Sequence, residues 1–239
     1  MSGPSPQRLI VEEAARLVDL VAEWIAAAAE ADIRERGHCT LALSGGAAPQ
    51  PVYERLAREP LAGRIHWRDV EIFFGDERAV PPDDPASNYR MAMAALLARV
   101  PIPAAAVHRL EAERADRDAA ARAYERLLPD RLDVLLLGMG ADGHTASLFP
   151  GAAALDERDR RIVPATGPTA PRERLTITPP VIAAARRVAV LIAGADKAAT
   201  VVRALQGPVQ PRDLPVQLAL GGVWFVDRAA GAGVRGRAA

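Results

Sequence analysis

Apolar positions follow two patterns, which alternate along the chain from residue 8 to residue 226. Short runs of almost wholly apolar residues at 40–43, 70–74, 132–137 and 187–193 predict buried strands. Between these runs, apolar residues recur at three- and four-residue steps and predict helices, the first over residues 12–36 with a stop at Gly37. Strands that alternate with helices predict a three-layer α/β fold, in which helices cover both faces of a mainly parallel, Rossmann-like sheet.

Further elements have shorter patterns. We predict strands at 8–11, 107–110, 174–178, 215–220 and 223–226, and helices at 49–57, 87–97, 111–128, 179–185 and 198–205. Ser87 and Asn88 are candidate caps for the helix that begins there. We find no internal repeat and no interdomain linker. We therefore expect one domain over residues 1–228 and a flexible tail over residues 229–239, which is rich in Gly, Ala and Arg.

Composition excludes several classes of function. The chain has 239 residues, of which 50% are hydrophobic, so it can bury a full core. Its 30 basic and 30 acidic residues cancel, and we expect neither a nucleic acid nor a membrane as partner. No apolar run is long enough for a membrane span, and residues 1–6 do not resemble a signal peptide. Cys39 is the single cysteine, expected to be buried and reduced, which fits the cytoplasm.

Four glycine-containing turns follow predicted strands. They are Ser44-Gly45-Gly46, Gly75-Asp76-Glu77-Arg78, Gly140-Ala141-Asp142-Gly143-His144 and Gly194-Ala195-Asp196-Lys197. Each turn alone has an ordinary explanation, such as a tight connection, a solvated ion pair or a structural histidine. The carboxyl ends of parallel strands meet at one edge of the sheet, however, where α/β proteins bind their ligands. Together the turns would supply anion donors, cations, carboxylates and a histidine, which suits acid–base chemistry on a small phosphorylated substrate.

Two features of these turns leave alternatives open. Gly138-x-Gly140-x-x-Gly143 matches the dinucleotide-binding pattern, but the segment after it stops at Pro150, and pyrophosphate binding does not explain Asp142 and His144. Lys197 is the single lysine among the 30 Lys and Arg residues. It is either a chance survivor or a position that requires a compact ammonium group rather than a planar guanidinium.

Motifs along nearly the whole chain carry a family resemblance. They are Ser44-Gly45-Gly46, Asp76-Glu77-Arg78-x-Val80-Pro81 with Ser87-Asn88, Gly138-Met139-Gly140-x-Asp142-Gly143-His144-Thr145-Ala146-Ser147-Leu148-Phe149-Pro150-Gly151, Arg174-x-Thr176 and Gly194-x-x-Lys197. In these the chain resembles the 6-phosphogluconolactonases, which are relatives of the glucosamine-6-phosphate deaminases. The deaminases share Asp-Gly-His but differ in the residues after His144 and usually have Asp-Glu-Tyr where this chain has Asp-Glu-Arg.

The resemblance implies the cytosolic second step of the oxidative pentose phosphate pathway, without a metal or an organic cofactor. The substrate would be a phosphorylated sugar lactone, and we expect a monomer. One departure concerns the first turn, where the family often has Ser or Thr and then Thr before the proline. This chain has Ala47 and Ala48, so side-chain hydroxyls at these positions cannot contact phosphate.

We assign roles to the candidate residues as follows. His144 is the general base toward water and later the acid, because imidazole exchanges a proton near neutral pH. Asp142 either orients His144 or lines the turn. The residues assigned to the phosphate or the developing oxyanion are Arg78 and Lys197, with Ser44, Gly45 and Gly46 as backbone donors and Arg174 as a further phosphate candidate. Asp76 is expected to fix Arg78.

Two other classes of function use the same residues. An amino-sugar-phosphate deaminase or isomerase would have a similar scaffold, and its reaction on glucosamine 6-phosphate would release ammonia. A sugar-phosphate sensor would bind phosphogluconate without turnover.

Overall fold

The computed structural model describes residues 6–234 of the chain. Its strands are β1 (Arg8–Glu12), β2 (Cys39–Leu43), β3 (Val70–Phe74), β4 (Asp76–Arg78), β5 (Val134–Gly138), β6 (Ile162–Thr166), β7 (Glu173–Ile177), β8 (Arg187–Ile192) and β9 (Val223–Asp227). Its α-helices are α1 (Ala14–Arg36), α2 (Gln50–Leu56), α3 (Leu61–Arg64), α4 (Asn88–Ala92), α5 (Arg117–Glu125), α6 (Pro179–Ala184) and α7 (Ala198–Gln206). A π-helical turn at Met93–Leu97 continues α4.

Six strands form the central sheet, in the order β1-β9-β8-β5-β2-β3. Every neighbouring pair is parallel. Strands β2 and β5 consist almost wholly of buried residues, as expected where helices cover both faces of a parallel sheet. Helix α1 packs against β1, β2, β5 and β9. The predicted α/β fold is therefore confirmed.

The strand order reverses between β2 and β5. The chain passes from β2 to its neighbour β3, and later returns to place β5 on the opposite side of β2. Connections that leave such a pair in opposite directions open a crevice at the carboxyl ends of the strands, which is the usual ligand position in open α/β sheets. The loop after β2 begins at Ser44, and the loop after β5 contains His144.

A second, antiparallel sheet has the order β4-β7-β6. Its strand β4 contains Asp76, Glu77 and Arg78, for which the sequence predicted a turn. That prediction was wrong because β4 pairs with β7, far along the chain, with Asp76 opposite Thr176 and Arg78 opposite Arg174. Gly75 joins the two sheets, since its N–H donates to Leu43 O at 3.0 Å and its carbonyl accepts from Ile177 N at 2.9 Å.

Three other predicted elements differ from the structure. The predicted strand at 107–110 forms only one bridge, between Val107 and Ile72, because the preceding proline-rich segment lets the chain meet β3 briefly. The predicted helix at 111–128 begins later, where Asp116 accepts a hydrogen bond from Ala119 N and caps α5. The predicted strand at 215–220 is a 3₁₀ helix at Pro215–Ala219, since Pro215 offers no N–H to a ladder.

The structure describes only part of the predicted tail. Ala230 is buried, although it lies in the predicted tail, and residues 235–239 of that tail lie outside the described residues. The expectations of one domain and of a flexible tail stay predictions. Within residues 6–234, no helix has the length and apolar character needed to cross a membrane.

Candidate active site

A cavity of about 200 Å³ lies at the carboxyl ends of β2, β5 and β8. All the predicted site residues except Asp142 line it. The lining residues are Ser44, Gly45, Gly46, Ala47, Ala48, Pro49, Asp76, Arg78, Asn88, Gly138, Met139, Gly140, His144, Ala146, Arg174, Leu191 and Lys197. The four turns predicted to meet at one sheet edge therefore do meet, and the cavity collects three cations, a carboxylate and a histidine.

His144 is held by its neighbour Asp142. Nδ1 of His144 lies 2.6 Å from Oδ1 of Asp142, which also accepts the backbone N–H of His144 at 3.1 Å. The hydrogen bond with the His144 side chain is the main cause that lowers the pKa of the Asp142 carboxyl below its ordinary value. An ionised carboxylate only accepts hydrogen bonds, so Nδ1 carries the proton and Nε2 of the neutral ring is the free base.

The segment after His144 is fixed by hydrogen bonds. Thr145 Oγ1 donates to Gly138 O at 2.8 Å, and Leu148 N donates to Thr145 O at 2.9 Å. Ala146, which lines the cavity, has a φ of 48°, in the left-handed region that residues other than glycine seldom adopt. Such conformations cost of order 1–3 kcal/mol and cluster at functional sites.

The loop after β2 is anchored by Tyr53 of α2. Its hydroxyl accepts from Ser44 N at 2.9 Å and donates to Ser44 O at 2.8 Å. Burial raises the pKa of the Tyr53 phenol, which stays protonated as this pair of bonds requires. These two hydrogen bonds thus fix the position of Ser44, where residues 44–46 begin to line the cavity. Their predicted contact with phosphate stays a prediction.

Asn88 lies directly against this loop. A Cβ added to Gly45 would lie 1.8 Å from Oδ1 of Asn88, so glycine at this position allows the amide to approach the backbone. Asn88 is buried, and its Nδ2 donates to Asp76 O at 2.9 Å and to Asp76 Oδ1 at 3.1 Å. Its Oδ1 accepts from Nη1 of Arg78 at 2.5 Å.

The expected link between Asp76 and Arg78 is therefore indirect. The link runs through Asn88, and Nη1 of Arg78 also donates to Ala86 O at 2.6 Å. The reason is that the loop after β4 folds back and places its own amide and carbonyl acceptors beside the guanidinium group of Arg78. Asp76 instead accepts from Ser147 Oγ, through Oδ2, at 2.6 Å.

Arg174 of β7 has an unusual environment for a cation. Its Nη1 lies 4.0 Å from Asp76 Oδ2, and its Nε is buried without a hydrogen-bond partner among residues 6–234. Burial is the largest cause that lowers the pKa of Arg174, and the positive charge of Arg78 acts in the same direction. An anion in the cavity would supply the negative charge that this guanidinium lacks.

Lys197 precedes α7 and lines the cavity through the turn after β8. Its Nζ donates to Ala193 O at 2.9 Å. Among residues 6–234 this bond to a neutral carbonyl orients the ammonium group and leaves it two further N–H donors. Both explanations offered for the single lysine stay open.

Sequence reasoning missed several residues of the site. Tyr53 lies within the helix predicted at 49–57 but had no predicted role. Asn88 was a candidate cap and, like Ser147, part of a family motif, without a role in the site. The available signal was that Ser87 and Asn88 follow the charged residues 76–78 closely along the chain. A helix that begins after so short a loop must start close to the end of the strand.

The opposite end of the sheet contains a group of potential metal ligands. Asp32, Cys39 and Asp133 are buried, and their ligand atoms lie within 4.8 Å of one another. Arg36 Nη2 lies 2.8 Å from Asp32 and 2.7 Å from Asp133, and Arg187 also pairs with Asp32, at 2.7 Å. Burial, followed by the charge of Asp32, raises the pKa of the Cys39 thiol, so the thiolate that binds metals is disfavoured. The arginines already neutralise the carboxylates, and the cluster is a buried ionic network.

Comparison with known proteins gives consistent matches. A family model described as glucosamine-6-phosphate isomerases/6-phosphogluconolactonase matches residues 12–224. The 6-phosphogluconolactonase of Synechocystis sp. is 40% identical over 216 residues, which cover 85% of this chain and 88% of the relative. The 6-phosphogluconolactonase of Mycobacterium bovis is 36% identical, over a match that covers 96% of this chain and 95% of the relative. The solved 6-phosphogluconolactonase of Trypanosoma brucei superposes with a TM-score of 0.86 at 29% identity, over 97% of this chain and 100% of its own.

Replacement of Gly140 by alanine should remove activity and preserve the fold. A Cβ at residue 140 would lie 2.1 Å from Nδ1 and Cε1 of His144, so the ring must leave its position beside Asp142. We expect kcat on the phosphorylated lactone predicted from the sequence to fall by about 10²–10⁴-fold, the contribution of a positioned base. The matched control is Gly221→Ala, where a Cβ meets nothing within 4 Å. Unchanged kcat in folded Gly140→Ala would contradict this placement of the ring.

Proposed function

The chain belongs to the glucosamine-6-phosphate isomerase/6-phosphogluconolactonase family, and we propose that it hydrolyses 6-phospho-D-glucono-1,5-lactone to 6-phospho-D-gluconate, the second step of the oxidative pentose phosphate pathway. The observation that carries the proposal is the His144–Asp142 pair at the edge of a cavity lined by Arg78, Arg174 and Lys197. A proton-transfer group thus lies beside cations that would hold a phosphate.

In this proposal Nε2 of His144 removes a proton from water as its oxygen attacks the carbonyl carbon of the lactone. The carbonyl oxygen becomes an oxyanion in the tetrahedral intermediate. When the intermediate collapses, the bond between the carbonyl carbon and the ring oxygen breaks, and Nε2 returns its proton to that oxygen. The products are a carboxylic acid, which ionises in solution, and a hydroxyl group.

Asp142 supports both steps because it holds the protonated Nδ1. The carboxylate faces the imidazolium that forms after the first proton transfer and favours its charge. Since the hydrogen bond to His144 lowers the pKa of Asp142, the carboxyl stays ionised to lower pH than an ordinary aspartate and remains available to hold Nδ1.

The cations would position the phosphate or stabilise the oxyanion. Arg78 and Lys197 each bond neutral oxygens of the protein, which leaves their charge available to an anion. Arg174 also lines the cavity, and its guanidinium lies 4.0 Å from the carboxylate of Asp76, which leaves its charge largely uncompensated. Backbone N–H groups of Gly45 and Gly46 would add donors, as glycine-rich turns commonly do for phosphates. The N–H of Ser44, which the sequence also suggested as a donor, is already bonded to the Tyr53 hydroxyl.

We predict that His144→Ala removes catalysis and retains the fold. The test is hydrolysis of freshly made 6-phosphogluconolactone, corrected for its spontaneous opening, with glucosamine 6-phosphate as the substrate that would reveal a deaminase. The wild type should hydrolyse the lactone and release no ammonia, and kcat of His144→Ala should fall by about 10²–10⁴-fold. The control is His66→Ala, which breaks a similar contact, to Asp69, outside the cavity. Near-wild-type kcat in His144→Ala would reject the general-base role.

We predict that Lys197→Ala mainly raises KM for the lactone. Loss of one charge-assisted hydrogen bond, about 1.5–3 kcal/mol, corresponds to roughly a 10- to 100-fold increase in KM. Arg203→Ala is the matched control, because it removes an exposed cation from α7 outside the cavity. If Lys197→Ala and Arg203→Ala have the same KM as the wild type, Lys197 has no part in substrate binding.

We also propose that the chain acts in the cytoplasm as a monomer. The described residues place the groups assigned to the reaction in one cavity of a single chain, with Asp142 bonded to His144 beside it, so the proposal requires no group from a second copy. A sedimentation mass larger than that of one chain would overturn the proposed monomer.

A further inference from the structure

Glu77 is a buried carboxylate between two residues of the cavity. Asp76 and Arg78 line the cavity, whereas Glu77 points to the other face of β4, as alternate residues of a strand do. Its exposed fraction is 3%. No cation pairs with it within 4.0 Å among residues 6–234, which is an expensive arrangement for a charged group unless hydrogen bonds compensate it.

Four donors compensate this charge. Glu77 Oε1 accepts from the backbone N–H groups of Arg78 and Asn88, both at 2.8 Å. Glu77 Oε2 accepts from the backbone N–H of Tyr89 at 2.8 Å and from Ser87 Oγ at 3.0 Å. Three of the donors belong to the start of α4. The carboxylate thus ties the start of this helix to β4.

The start of α4 also carries the acceptors of Arg78. Asn88 Oδ1 and Ala86 O both accept from Nη1 of Arg78, at 2.5 and 2.6 Å. Because these bonds use one nitrogen, Nε and Nη2 remain for an anionic ligand. The position of the guanidinium therefore depends on where residues 86–88 lie, and Glu77 determines that position.

We propose that Glu77 is a positioning residue, which holds residues 86–88 against β4 and thereby sets the guanidinium of Arg78 for the phosphorylated substrate. The inference rests on the proposed role of Arg78 in substrate binding. Glu77 itself touches no substrate, since it does not line the cavity.

Burial of the carboxylate argues against a purely stabilising role. Desolvation is the largest influence on Glu77 and raises its pKa, although the N–H groups of Asn88, Tyr89 and Arg78 act in the opposite direction. A buried charge whose desolvation is not fully offset is weak evidence for stability. The role that remains for Glu77 is to hold residues 86–88 in one particular geometry.

The test is a double-mutant cycle of Glu77→Gln and Arg78→Ala. Glutamine has nearly the same size, but its amide nitrogen would face an N–H or O–H donor and displace the loop. Binding of 6-phosphogluconate is measured by calorimetry, and KM and kcat are measured with fresh lactone. We expect Glu77→Gln to raise Kd and KM by roughly tenfold when Arg78 is present, and to change neither when Arg78 is already alanine.

The matched control is Glu125→Gln. Glu125 also accepts backbone N–H groups, from Arg161 at 2.8 Å and Ile162 at 3.0 Å, but it does not line the cavity. It should lose stability in urea and keep the wild-type Kd. Should Glu77→Gln fail to fold, Ser87→Ala, which removes one of the four donors, takes its place in the cycle.

The outcomes separate the two proposals. If Glu77→Gln, or its substitute, leaves Kd and KM unchanged, or weakens binding equally with and without Arg78, Glu77 is only structural and the inference is overturned. If Arg78→Ala alone does not weaken binding, the proposed role of Arg78 fails first, and the inference fails with it. An absence of lactone hydrolysis in the wild type would instead reject the proposed function.

Discussion

Parallel pairing of β2, β5 and β8 is the constraint on which the site depends. Leu41 of β2 is opposite Val134 of β5, and Gly138 of β5 is opposite Leu191 of β8, so the loops after these strands emerge at the same edge. Since β3 lies on the other side of β2, the chain leaves a crevice between the loops after β2 and β5. The proposed base His144 and the cation Lys197 come from segments that follow these strands, and the strands determine how far apart they lie.

Two close contacts, each between a polar side chain and the backbone of a glycine, also hold these loops in position. Asn88 lies against Gly45, and His144 lies against Gly140, each too near for a Cβ on the glycine. The glycines of both turns therefore have a packing role beside any role in anion binding. Because glycine has no Cβ, the side chains of Asn88 and His144 can pack directly against the backbone at these two positions.

The sequence predicted those parts of the site that follow directly from a strand. His144 and Lys197 come soon after β5 and β8, so local pattern alone indicates the edge they reach. The short strand β4 could not be predicted in this way, because its pairing partner is the distant β7. For the same reason the sequence predicted that Asp76 fixes Arg78 but not that Asn88 lies between them, bonded to Glu77 by a contact that no periodicity reveals.

Charges in the cavity are oriented without being cancelled. Arg78 and Lys197 bond carbonyl and amide oxygens, and Arg174 remains 4.0 Å from Asp76, which is satisfied by Ser147 and Asn88. Neutral acceptors fix a cation in place and leave its attraction for a phosphate intact. The carboxylate of Asp142 bonds His144 instead. In the proposed reaction, anion binding and proton transfer thus depend on separate groups, so the cations can hold the substrate while His144 gains and loses a proton.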